Sequence, residues 1–90
     1  MIVQYSPLFL KELKKLNVKI YKSLRKQLLI FSKDPNNPIL RNHALRGDWK
    51  GYRSINITAD WRVIYEEIKS GNEIIAYFSY LGVHKELYGW

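Results

Sequence analysis

Ninety residues, 47% hydrophobic and with thirteen aromatic side chains, are enough for one packed core and too few for two, so one domain over residues 1–90 is expected. No cysteine is present, which removes disulfide frameworks and thiolate metal sites. The longest apolar runs are far short of a membrane span and Met1 leads into no signal pattern, so the expectation is a cytoplasmic protein with no membrane partner.

The charge is unevenly placed. Residues 1–33 carry eight Lys/Arg against the single Glu12, whereas residues 34–90 carry seven of each sign, so the whole net charge of +7 belongs to the N-terminal third. A one-sided basic field favours a polyanion such as RNA or DNA, although a lysine-rich face can also serve solubility alone.

In chain order, residues 1–5 are apolar and β-branched and predict a short strand. Ser6-Pro7 then reads as a helix start, with a hydroxyl able to cap free N–H groups and a proline where no N–H is needed. Phe9, Leu13 and Leu16 follow at helical spacing, with Lys11, Lys14 and Lys15 off that stripe. Asn17 can cap a second helix whose apolar positions are Tyr21, Leu24, Leu28 and Phe31, with Lys22, Arg25 and Lys26 between them. Asp34-Pro-Asn-Asn-Pro38 ends the hairpin. Three β-rich runs follow, at 52–58, 61–68 and 74–81, joined by connections short enough for hairpins. The fold class is therefore α+β: strand, two-helix hairpin, then a mainly antiparallel sheet. Alternation sets Trp61, Val63 and Tyr65 on one sheet face and Arg62 and Ile64 on the other. The run at 74–81, apolar on both faces, is expected to be the central strand.

Between helices and sheet lies Arg41-Asn-His-Ala-Leu-Arg-Gly-Asp-Trp-Lys-Gly-Tyr-Arg53. Cations interleaved with aromatics suit nucleic acid, since cations hold phosphates and rings stack on unpaired bases. The competing reading is a plain connection, with Gly47 and Gly51 as turn residues and Trp49 folded onto the sheet. His43 and His84 are the two histidines, and Asp60 sits at a hairpin tip. Singly, each suits an ordinary loop or turn role; brought together, imidazoles titrating near neutrality would serve as acid and base. Arg62 is either solvated or waiting for an anion, and Trp61 suits the core.

Three separated motifs agree with a known pattern. His43-x-Leu45-x-Gly47-x-Trp49-x-Gly51-x-Arg53, then Asp60-Trp61-Arg62-Val-Ile-Tyr65, then Gly82-x-His84-x-Glu86-Leu87-Tyr88, in this order and spacing, closely resemble the YafQ-like branch of the RelE/ParE toxin superfamily over essentially the whole chain. The resemblance implies a RelE-like fold with a short C-terminal helical segment. It also implies a type II toxin: an endoribonuclease that enters the ribosomal A site, cuts messenger RNA and is neutralised by a cognate antitoxin.

The family positions correspond to His43, Asp60, Trp61, His84 and Tyr88. Some relatives place a further histidine four residues before the aspartate, where this chain has Asn56, which cannot exchange a proton near neutral pH. On this reading His84 is the general acid and His43 or Asp60 the base, with His43 favoured because an exposed aspartate is a weak base. Arg53, Arg62 and Lys50 would meet the phosphate. Trp61 and Tyr88 would stack on or orient a base, and Lys11, Lys14, Lys15, Lys22, Arg25 and Lys26 would grip ribosomal RNA. No cofactor or metal is called for, and the toxin alone is expected to be a monomer. Other readings of the same residues are a ParE-like gyrase inhibitor without catalysis and a plain RNA-binding module. At the end of the chain, Trp90 is expected to anchor the tail.

Overall fold

The computed structural model describes residues 1–88, Tyr88 in its backbone alone. Strand β1 (Ile2–Tyr5) leads into helix α1 (Pro7–Leu13) and helix α2 (Val18–Lys33), followed by a 3-10 turn at Pro38–Leu40. A two-residue strand β2 (His43–Ala44), a second 3-10 turn (Gly47–Trp49), strands β3 (Tyr52–Asn56), β4 (Trp61–Ser70) and β5 (Glu73–Val83), and helix α3 (His84–Tyr88) complete it.

Both expected caps form. The Ser6 hydroxyl oxygen accepts from the Phe9 N–H at 3.0 Å, and its own O–H donates to the Ser79 carbonyl at 2.8 Å. The Asn17 side-chain oxygen accepts from the Ile20 N–H at 3.0 Å. Replacing such a cap by alanine typically costs about 1 kcal/mol. Helix α1 stops at Leu13, so Leu16 lies in the connection rather than on the helix.

The five strands are ordered β1-β5-β4-β3-β2. Strand β1 runs parallel to β5, and every other pairing is antiparallel. The middle strand is thus β4, not the run at 74–81. Strand β5 is interior but has β1 on its outer side, because the N-terminal strand adds to that edge. Apolarity on both faces marked β5 as covered; it carried no information on which neighbours cover it.

Helices α1 and α2 cover one sheet face. Phe9 and Phe31 from the helices meet Tyr65 and Phe78 from the sheet, all four at most 1% exposed, with Phe31 edge-on to Tyr65 and to Phe78 at 5.1 and 5.2 Å. Burial of each such ring contributes on the order of 3 kcal/mol. Gln27, on the same side of α2 as Leu24 and Phe31, is buried and polar. Its Nε2 donates to the Asn56 carbonyl at 2.9 Å and to that of Ile39 at 3.5 Å, tying α2 to the end of β3 and to the first 3-10 turn.

The opposite face is covered at one end by the second 3-10 turn. Gly47 and Gly51 bracket it with positive φ, and Trp49 stands edge-on to Tyr80 at 5.1 Å and to Tyr52 at 5.6 Å. That is the turn reading of the cationic and aromatic stretch, with the tryptophan folded onto the sheet.

Candidate active site

The register aligns the polar residues of this second face. Asn56 on β3 pairs with Arg62 on β4, which pairs with Gly82 on β5. One row away, His43 pairs with Ser54 and Ser54 with Ile64. Because side chains alternate along a strand, His43, Asn56 and Arg62 share a face. An open cleft of ≈ 530 Å³ lies there, lined by Arg41, Asn42, His43, Asn56, Arg62 and His84. The two histidines, 41 positions apart in the chain, thus reach one cavity.

His84 comes from β5 and α3. Its backbone N–H donates to the Asp60 carbonyl at 2.8 Å, which fastens the start of α3 to the β3–β4 turn. Asp60 and His84, with Val83 and Lys85, line an adjoining cavity of ≈ 380 Å³. At Gly82 any Cβ would lie 3.3 Å from Leu87, so the missing side chain lets α3 settle on the sheet. Tyr88 ends α3; its side chain, and Trp90, lie outside the described residues.

His43 is exposed, and its Nδ1 is 2.8 Å from the Arg41 carbonyl. Arg41 itself has φ +50°, the left-handed region, at the C-cap of the first 3-10 turn. For a non-glycine residue this costs on the order of 1 kcal/mol and recurs at functional sites.

Arg62 is organised before any ligand arrives. Its Nη1 donates to the carbonyls of Thr58 and Ala59, both at 2.9 Å, and of Trp61 at 3.2 Å. One corner of the guanidinium is thereby clamped to the β3–β4 turn while the residue lines the cleft.

Other expected residues do not line it. Trp61 lies on the helix-covered face and packs against the core, so its ring is placed for packing, not for a base in the cleft. Arg53 alternates onto that same face, pairs with Tyr65 and donates from Nε to the Asn42 side-chain oxygen at 2.9 Å. It meets the site only through Asn42, whose amide also donates to the Tyr65 hydroxyl at 2.7 Å. Lys50 is exposed after the second 3-10 turn and does not line the cleft. On the helices, Lys11, Lys14, Lys15, Lys22, Arg25 and Lys26 are all exposed. Lys15 pairs with Glu12 at 3.5 Å, and Arg25 lies 5.9 Å from the Tyr21 ring centre.

Arg41, Asn42 and Gln27 escaped the sequence reading. Arg41 and Asn42 belong to a stretch already singled out, but a left-handed φ at arginine leaves no mark in the sequence. Gln27 falls at the helical spacing between Leu24 and Phe31, which is the one signal that would have found it.

Known proteins share this fold. The family model describing the bacterial toxin of type II toxin–antitoxin systems, YafQ, matches residues 1–89. The mRNA interferase toxin YafQ of Escherichia coli strain K12 is 33% identical, over 97% of this chain and 95% of the relative. The E. coli DinJ–YafQ toxin–antitoxin complex contains a chain similar with a TM-score of 0.67 and 29% identity, covering 97% of this chain and 96% of that one. A YoeB/ParE toxin from Agrobacterium tumefaciens has the same fold, with a TM-score of 0.76 at 18% identity over 93% of this chain and 99% of that one. Fold and relatives together define an endoribonuclease toxin of a type II toxin–antitoxin system. The chain belongs to the YafQ family of type II toxin–antitoxin toxins.

Proposed function

We propose that the chain, acting as one domain over residues 1–90, cleaves messenger RNA in the ribosomal A site by acid/base chemistry carried by its own side chains. One observation supports this above the others: His43 and His84 line the same cleft as Arg62 and Asn56. His43 takes the proton of the ribose 2′-OH as that oxygen attacks the adjacent phosphorus. Arg62 meets the negative charge of the five-coordinate phosphorus, and His84 protonates the 5′-oxygen as its bond to phosphorus breaks. The products are a 2′,3′-cyclic phosphate and a 5′-hydroxyl. Asp60, beside His84 rather than His43, suits orientation of the acid better than service as the base. Asn56 holds a hydrogen bond in the cleft without exchanging a proton, and Tyr88 at the end of α3 orients a base.

Lys11, Lys14, Lys15, Lys22, Arg25 and Lys26, exposed on α1, α2 and their connection, serve contacts to ribosomal RNA. No helix among the described residues is long and apolar enough to cross a membrane, which agrees with work in the cytoplasm. The E. coli complex pairs YafQ with the antitoxin DinJ, and a cognate antitoxin is the expected partner of this otherwise monomeric chain. The ≈ 630 Å³ groove between α1 and α2, lined by Leu10, Leu13, Leu28 and Leu29 together with Lys22 and Arg25, suits an amphipathic antitoxin segment with acidic residues.

The deciding experiment is cleavage of programmed ribosomes by folded His84→Ala protein. A fall of roughly 10²–10⁴-fold is expected; a rate equal to that of the unaltered chain removes His84 from the chemistry.

A further inference from the structure

Next to the paired-histidine cleft lies a second cavity, of ≈ 560 Å³, between α2, the first 3-10 turn and the β3–β4 connection. Arg41, Asn56 and Arg62 line both cavities, so the two form one continuous trough. Lys26, from α2, lines the second but not the first, and among the described residues no Asp or Glu lines either one. We propose that this second cavity is a subsite for the phosphodiester adjacent to the scissile one, held by Lys26, Arg41 and Arg62. The proposal rests on the reading of the first cleft as the RNA-cleaving site and adds to it where the neighbouring stretch of strand runs.

Three features argue for a built site rather than a chance gathering of cations. The first is the left-handed backbone of Arg41, which keeps the residue at the junction of the two cavities while its carbonyl faces His43. Second, Arg62 has its Nη1 fully engaged with turn carbonyls, so its other donors are offered in a fixed direction, and a planar guanidinium suits phosphate oxygens. The third is the lining itself: buried Gln27 holds the Asn56 and Ile39 carbonyls, fixing the spacing of α2, β3 and the 3-10 turn around the cavity. Ser23 and Thr58 add hydroxyls and Ile39 an apolar contact, a combination that suits a sugar and its phosphate. The strand would leave the histidines and pass between the end of the sheet and α2, where the net positive charge of the chain begins.

The test is charge interference on programmed ribosomes. Messages carrying an uncharged methylphosphonate at single phosphates on either side of the cleaved bond are compared with the natural message, using the unaltered chain, Lys26→Gln and Arg41→Asn. Asparagine accepts the left-handed backbone, so Arg41→Asn keeps the carbonyl at His43 and removes only the guanidinium. For the unaltered chain one flanking position is expected to slow cleavage roughly tenfold. Each variant should be slower on the natural message and should lose that sensitivity. The subsite is overturned if no flanking position matters, or if both variants stay as sensitive as the unaltered chain, the latter meaning that the cavity serves folding or a protein carboxylate. His84→Ala, run alongside, reports on the cleavage chemistry independently of the interference pattern. An unaltered chain that leaves every message intact would end both readings.

Discussion

The Arg41 carbonyl stands 2.8 Å from His43 Nδ1. A carbonyl oxygen only accepts, so Nδ1 carries the proton, and in the neutral ring Nε2 is left as a lone pair. A ring prepared in this tautomer is a proton acceptor, which argues for His43 as the base.

Replacing His43 by alanine should therefore lower single-turnover cleavage by about 10²–10⁴-fold. A variant that cleaves as fast as the unaltered chain would transfer the role to Asp60.

The glycine under α3 offers a second test. Alanine at position 82 meets Leu87 at 3.3 Å and pushes α3 by a few tenths of an ångström. His84, held at the other end of the contact by the Asp60 carbonyl, moves with it. Turnover should fall by about 3- to 10-fold through misplacement of the acid, while stability changes by less than about 1 kcal/mol. Equal turnover in the two proteins would mean that the seat of α3 on the sheet does not set the position of His84.

Gln27 links stability to the site. Truncation to alanine leaves the Asn56 carbonyl without its buried donor and should destabilise the chain by roughly 1–3 kcal/mol. Because the same amide spaces the second cavity, urea midpoint and cleavage rate should fall together. A midpoint within experimental error of the unaltered chain would mean that solvent replaces the lost bond.

Tyr65 makes the fold sensitive to alkali. Burial pushes its hydroxyl above the ordinary tyrosine range, against the opposing pull of the Asn42 hydrogen bond and nearby Arg53. The unfolded chain then releases this proton at lower pH than the folded one, so stability is complete below the ordinary tyrosine range and declines as pH rises through it toward the folded value. Tyr65→Phe should flatten that decline in urea titrations above pH ~10 and cost about 1 kcal/mol at neutral pH, where Asn42 loses an acceptor. A decline as steep in the variant would assign it to other groups.

The helix-then-sheet order, both helix caps and the faces of the strand at Trp61 were legible because each depends on local chemistry: a hydroxyl before proline, an asparagine before an apolar stripe, period-two alternation around Trp61. The pairing of β1 with β5 was not, since it joins residues more than seventy positions apart and only the assembled edge decides it. Alternation placed Arg62 correctly away from Trp61, yet the same rule applied to Arg53 would have sent it to the helix side with Tyr65, its cross-strand partner. His43, His84 and Asp60 came from motif order. Arg41 became visible only through its backbone conformation.

The separation of charge along the chain acquires a directional meaning once the fold is known. Eight of the fifteen Lys/Arg lie in residues 1–33, all of them in α1, α2 and the turn between them, stacked on one side of the sheet, while the remainder of the chain is balanced. The molecule is therefore a permanent electric dipole as well as a cation. Near a polyanion it feels a torque that turns the helices inward before contact, and the gain appears in the rate of arrival more than in the strength of the final grip. Lys26, where the helical side borders the trough, marks the line along which an approach led by the helices becomes a seat for the strand.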